Sequence, residues 1–387
     1  YDALKSNTTG TQNVAVGSKS LDANTTGYYN TAVGYNALTA NTTGYSNVAI
    51  GWQALEDNTA GAGNVAIGDE AMANTTTSSN VAIGDGAAKT NTTGSQFVAI
   101  GPSALTDNTT GNYCVAVGHS ALKNNTTGAG NIGIGQYTLY DNETGGNNVA
   151  VGHYALENNT TNNNVAIGYY ALKANTTGSW NTAVGTYALD ANTTGQTNCA
   201  LGYATLGANT TGSDNIAIGH EAMETNTTGA RNVAIGRDAL EQNNANENVA
   251  IGYLAMEDNT TGTRNTAVGT YALYNNTTNN DNTAVGYYAL ATSTTGYENT
   301  AMGRNALAGC TTGCCNTAVG VQALNTSTTA GTCTMVGMYA GQAITTGNAN
   351  TGVGYMALYS NQTGTDNVAM GKQALQDVTT GGNNIGF

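Results

Sequence analysis

Asn47-Val48-Ala49-Ile50-Gly51 decides how this chain is read, because the same five-residue pattern returns along the whole sequence. It stands as Asn13-Val14-Ala15-Val16-Gly17, Asn30-Thr31-Ala32-Val33-Gly34 and Asn64-Val65-Ala66-Ile67-Gly68, and again at Asn367-Val368-Ala369-Met370-Gly371. The step is 17 residues, except for three 16-residue steps ending at Gly84, Gly168 and Gly252. Those three lie 84 residues apart, a spacing that suggests a duplicated block of five repeats. With the first Asn as position one, the consensus is N-[VTI]-A-[VI]-G-x-x-A-L-x-x-N-T-T-G-x-x. No linker interrupts it, so residues 1–387 read as a single array, cut in mid-repeat at both ends and therefore expected to be a fragment.

N-V-A-I-G alternates like a short strand. Position four is apolar in every copy (Val16, Ile50, Leu201, Met302) and reads as core; position nine, nearly always Leu or Met, reads as the second core residue. Position two takes Val or Thr, a half-buried β-branched site. Gly at position five and the N-T-T-G run supply turn chemistry. Two glycines per repeat and Asn-Thr-Thr leave no uninterrupted helical segment. A 17-residue unit of short strands and turns is one coil of an all-β, parallel β-solenoid or β-roll. About 23 such coils, stacked at the strand spacing of about 4.8 Å, predict a rod of about 110 Å. Asn at positions one and twelve is expected to stack into ladders. Two large apolar residues per coil make a thin core, and the Ala at positions three and eight suits close approach by a neighbouring chain. Lateral assembly is therefore expected, most simply of three chains; a single-chain solenoid closing its own core is the alternative.

Composition agrees. The chain has 52 Gly, 1 Pro, 2 Phe, 2 Trp and 22 Tyr, with 9% charged residues, far from an ordinary multi-domain enzyme. A core filled by Ala, Val, Ile and Leu reads as too narrow for Phe. Lys+Arg 10 against Asp+Glu 24 gives a net charge of −14, which argues against nucleic acid as a partner. No apolar run approaches the roughly 18 residues that insert into a membrane, and Tyr1-Asp2-Ala3-Leu4 begins no signal peptide.

The motif N-[VT]-A-[VI]-G, followed by A-L and N-T-T-G, resembles the head repeats of trimeric autotransporter adhesins. It is similar, too, to the repeat arrays of phage tail fibres and bacterial tail-fibre-domain proteins. The resemblance covers the entire chain and implies a left-handed parallel β-roll, laterally assembled as a homotrimer. The adhesin repeat is shorter than the 17 residues found here, and the anchor or chaperone domain such fibres carry has no counterpart in this sequence.

Four cysteines cluster. Cys310, Cys314, Cys315 and Cys333 fall within two coils, and Cys333 lies one rung from the neighbourhood of Cys315, within reach of a disulfide. A disulfide clip, free thiols, or a zinc site of unfamiliar spacing are the three readings. Asn-x-Thr sequons recur at Asn7, Asn24, Asn41, Asn74, Asn91, Asn108, Asn125, Asn142, Asn159, Asn175, Asn192, Asn209, Asn226, Asn259 and Asn276. They read as a glycan ladder or, more simply, as turn residues that stack. Aromatic residues at positions six and seven (Tyr35, Trp52, Tyr154, Tyr170, Tyr187, Tyr271, Tyr288, Tyr355) predict a surface stripe, able to bind sugars or to pack a seam. His119, His153 and His220 all fall at position six of non-adjacent coils and read as surface, with no metal site among them. Gly118-His119-Ser120-Ala121-Leu122 fails as a nucleophile elbow for want of its second Gly. No catalytic constellation and no cofactor motif appears. Ala88 and Gly341 break the Leu rule, with Ile344 placed to supply the side chain missing at Gly341.

The sequence thus predicts a non-enzymatic structural fibre: an extracellular, cell-surface or virion-borne shaft that touches copies of itself and possible surface glycans or receptors. A self-assembling filament, or a solenoid binding ice or glycan, is the alternative.

Overall fold

The computed structural model describes residues 1–387, and a short strand stands wherever the five-residue motif does. The chain divides into two compact units, residues 1–195 and residues 196–387. The first holds β1 (Val14–Val16), β2 (Thr31–Val33) and their successors through β11 (Thr182–Val184). The second runs from β12 (Cys199–Leu201) to β23 (Ile385–Gly386). Within each unit every strand pairs in parallel with its neighbours in sequence, like on like. Val14, Ala15 and Val16 face Thr31, Ala32 and Val33, and Cys199, Ala200 and Leu201 face Ile216, Ala217 and Ile218. Each unit is an all-β parallel β-solenoid built from coils of about one repeat. No helix is long and apolar enough to cross a membrane.

The strand is turned the other way from the sequence reading. Ala32, Ala49 and Ala66 at position three are fully buried, whereas position four looks outward: Ile50 is 38% exposed, Ile167 41% and Met302 44%. Position four is therefore not core, and the Ala at positions three and eight lies inside the coil instead of against another chain. The interior of each regular coil consists of Asn at position one, Ala at three and eight, Leu or Met at nine and Asn at twelve. Where position nine is Leu or Met, position three is Ala or Gly, because that long side chain reaches across to the strand side. A Cβ on Gly133, at position three, would stand 3.5 Å from Leu122 of the preceding coil.

Two asparagine columns line that interior. In the first unit Asn24 Nδ2 donates to Asn7 Oδ1 at 2.8 Å and to the Gly27 carbonyl at 3.1 Å. The position-one Asn turns its Oδ1 to the next coil, where Asn13 Oδ1 accepts from the backbone N–H of Asn30 at 3.0 Å. The second unit repeats this along Asn209, Asn226, Asn243, Asn259 and Asn276. Glycine at position five is forced by both space and backbone: Gly34 has φ 141°, and a Cβ there would collide with the Gly51 carbonyl.

Left-handed backbone is not confined to glycine. Asn36, Leu38 and Ser46, at positions seven, nine and seventeen, have φ of 58°, 56° and 57°. Each sends its amide to an adjacent coil, as in Leu38 N to Ala54 O at 2.9 Å and Asn36 N to Ser18 O at 3.1 Å. The conformation costs a non-glycine residue about 1–2 kcal/mol, more when the Cβ is branched. No Val, Ile or Thr occupies position seven or nine in any coil.

The 16-residue coils lose their residue in the turn, at position fourteen, where Thr77, Thr161 and Ala245 supply the carbonyl that Gly supplies elsewhere. The strands consequently stay in register: Ala66 on Ala82, Ala150 on Ala166, Ala234 on Ala250. The irregular coils are filled by neighbouring substitutions. A Cβ on Gly341 would meet Met335 Sδ at 2.7 Å and Ile344 Cδ1 at 3.0 Å, so those two side chains occupy the missing Leu volume. Where Ala88 shortens position nine, Phe97 replaces Asn at position one of the following strand and is almost wholly buried. The interior is thus wide enough for Phe where a Leu is absent.

Candidate functional site

The sequence singles out an aromatic stripe, a ladder of sequons and a cysteine cluster; the structure adds a fourth surface that the sequence reading places in the core. The outward strand face is formed by positions two and four, held in line by the parallel register and backed by the buried Ala between them. No charged residue occupies either position in any coil. In the first unit Val14, Val16, Ile50, Ile83, Ile100, Ile134 and Ile167 all remain exposed. In the second, Leu201, Ile216, Ile251, Met302, Val336 and Met370 do the same. Exposed apolar residues are ordinary when scattered; a file of them along a sheet is a candidate for contact with another surface.

The aromatic stripe forms in runs. In the first unit the position-seven rings of Tyr137, Tyr154, Tyr170 and Tyr187 follow one another at 5.2, 5.1 and 5.8 Å between centroids. Lys173 Nζ lies 4.3 Å from the Tyr170 ring and 5.1 Å from that of Tyr154, and pairs with Glu157 at 3.5 Å. In the second unit Tyr271 stacks on Tyr288 at 4.7 Å and meets Tyr253 edge-on at 5.7 Å. Tyr274 nearby has its hydroxyl pushed up to about 12, first by its hydrogen bond to Glu257. Tyr35, Trp52 and Tyr355 belong to position six and stand exposed beside these columns' position-seven sites.

The sequons are structural. Asn24, Asn41, Asn91, Asn108, Asn125, Asn142, Asn159, Asn175, Asn192, Asn209, Asn226, Asn259 and Asn276 are completely buried, so their side-chain nitrogens face the coil interior and cannot carry a sugar in the folded chain. Asn7 is half-buried and already donates to Gly10. Asn74 differs, because Thr75 takes the ladder position of that coil and Asn74 is exposed.

All six cysteines are free thiols, and the disulfide expected among Cys310, Cys314, Cys315 and Cys333 is not formed. Cys333 sits over Asn316, not Cys315: its amide donates to Asn316 Oδ1 at 3.0 Å. Cys310 and Cys333 each replace a ladder Asn, and their thiols point at the same glycine carbonyls, Gly313 at 3.5 Å and Gly347 at 3.3 Å. Cys114 does likewise with Gly128 at 3.3 Å. Burial pushes the thiol of Cys310 up to about 11 and raises those of Cys114 and Cys333, which keeps the S–H proton these contacts use. Cys314 and Cys315 are half-buried at positions sixteen and seventeen. Sequence spacing missed these roles because the replaced residue, not the distance between cysteines, is the informative signal.

The position-thirteen hydroxyls bind the next coil, as Thr25 Oγ1 does the Thr42 carbonyl at 3.0 Å. Scanned against known protein families and characterised protein sequences, the chain matches none.

Proposed function

We propose that this chain is a non-enzymatic structural element of an extracellular attachment fibre, of the adhesin or tail-fibre kind, borne on a cell surface or virion and assembled laterally with copies of itself. The observation that carries the reading is the outward strand face. Position two or four never bears a charge, although charged edge and surface residues are the common means by which sheets avoid association. An identical file on each copy is self-complementary, and three copies around one axis, left-handed as in the adhesin heads, would cover it. Solution mass tests this directly. The parent chain is expected to be an oligomer, and Ile50→Glu with Ile83→Glu and Ile100→Glu to be a monomer of unchanged circular dichroism. A parent chain that is monomeric at micromolar concentration defeats the proposal. Open-ended polymers in negative stain would favour the filament form.

The tyrosine columns favour a second, compatible reading, a weak repeated contact with surface glycans or a glycosylated receptor through Tyr137, Tyr154, Tyr170 and Tyr187. Binding to a glycan array that survives Tyr154→Ala and Tyr170→Ala together would remove it.

A further inference from the structure

The position-seven column changes character at one place in the second unit. Glu221 and Asp238 occupy position seven of successive coils, both in the left-handed conformation, with φ of 57° and 56°. The Asp238 amide donates to the His220 carbonyl at 3.0 Å, which sets the imidazole of His220 beside the two carboxylates. One ligand atom from each of His220, Glu221 and Asp238 lies within 4.8 Å of the others, and His220 Nδ1 is 3.2 Å from Glu221 Oε2. Asp238 is 7% exposed. Its Oδ2 accepts from Arg237 Nε at 3.0 Å, but Oδ1 is buried with no hydrogen-bond partner. A buried carboxylate oxygen left bare is costly and rare.

Elsewhere in this column a carboxylate has a partner. Position seven meets position ten of the next coil, where Glu70 finds Lys89 and Asn36 finds Glu56 at 3.0 Å. Here the corresponding position-ten residues are Glu241 and Glu257, and Glu224 also lies near enough to feel the charges of Glu221 and Asp238. The cations facing the cluster are Arg237, whose side chain is mostly exposed, and His220 when protonated.

We propose that His220, Glu221 and Asp238 form a binding site for one divalent transition-metal cation, zinc being the ion whose preferences they meet. Imidazole nitrogen and carboxylate oxygen are both zinc ligands, and three protein ligands leave a fourth position open to water. Calcium and magnesium prefer all-oxygen shells and would gain little from His220. The cation supplies the missing partner of Asp238 Oδ1 and ties two successive coils together. The sequence pattern concealed the site because the three histidines fall in separate coils; the further ligands are carboxylates from position seven, one of them a coil away.

The test is titration of the full chain with zinc chloride alone, followed by calorimetry. One equivalent is expected to bind, with apparent affinity reduced at least about tenfold in His220→Ala and in Asp238→Asn. His220→Ala alters an exposed side chain, so it remains informative if Asp238→Asn fails to fold. Cobalt(II) separates this site from the thiols: the expected spectrum has visible ligand-field bands without a thiolate charge-transfer band. No binding, affinity unchanged in His220→Ala, or binding that shows only the thiolate band overturns the proposal.

Discussion

Asn41 donates from Nδ2 to Oδ1 of Asn24, 2.8 Å away, and neither side chain is reached by solvent. One coil later Asn58 Nδ2 donates to Asn41 Oδ1 at 3.0 Å, while Asn41 also serves the Gly44 carbonyl at 3.1 Å. Each amide is donor to one side and acceptor to the other, so the column propagates without a break while its members are Asn. Where Thr75 replaces one, Asn58 Oδ1 is left without a partner. Removing Asn41 should therefore strand Asn24 Oδ1, while the Gly44 carbonyl keeps Asn30 Nδ2 at 2.9 Å and Asn58 Nδ2 keeps the Gly61 carbonyl at 3.1 Å.

Asn41→Ala is expected to destabilise the chain by about 1–3 kcal/mol, the cost of one buried acceptor left unpaired together with the lost ladder bonds. Asn74→Ala, on an exposed side chain, should stay within about 0.5 kcal/mol. Urea unfolding of the two variants checks this; equal losses would show that a buried ladder Asn contributes no more than an exposed one.

Leu55 sits at φ 54° in the core. Leu55→Ile keeps the volume but branches the Cβ in left-handed backbone, and should cost about 2 kcal/mol. Leu55→Met should cost under about 1.5 kcal/mol, as volume-conserving swaps do. Thermal melts that rank Met as the worse substitution would contradict the backbone argument.

Cysteine reactivity should divide by position. The thiolate is the nucleophile, and burial holds Cys114, Cys310 and Cys333 protonated above their ordinary value. Under native conditions at mildly alkaline pH, iodoacetamide should label Cys314 well before those three, which should react only after unfolding. Peptide mapping by mass spectrometry distinguishes the classes; early labelling of Cys310 would place it outside the ladder.

The acidic column predicts an unusual pH response. Glu241 and Glu257 are raised above 4.5, first by burial; neighbouring carboxylates add to both, and the hydrogen bond with Tyr274 partly offsets the rise at Glu257. Their ionised forms are disfavoured by the fold, so the folded chain takes up protons before the unfolded chain does. Stability should rise as pH falls through the raised folded values and stop rising near the unfolded value of 4.5. Asp281, lowered by Arg264, works in the opposite direction only below its ordinary 3.8. Melting temperature should increase between about pH 7.5 and about pH 4.5 in metal-free buffer, and Glu241→Gln with Glu257→Gln should flatten that rise. A parent chain that melts lower at the acidic end runs against the assignment.

The repeat alone determined the coil, its length and its turns, because Gly at position five and the N-T-T-G run fix where the backbone reverses whatever surrounds them. It also determined Leu at position nine as core. Which face of the strand points inward was decided only by the assembled coil. Val-Ala-Ile is apolar on both faces, so alternation carries no sign, and the larger residues were the natural choice for the interior. The sign was present in Asn at position one, which shares parity with Ala at position three. It became legible only once the Asn ladder and Leu38 were seen to fill the interior, leaving room beside them for nothing larger than Ala32. Contact between coils likewise joined His220 to Asp238, residues whose separation in sequence says little until a neighbouring coil sets them side by side.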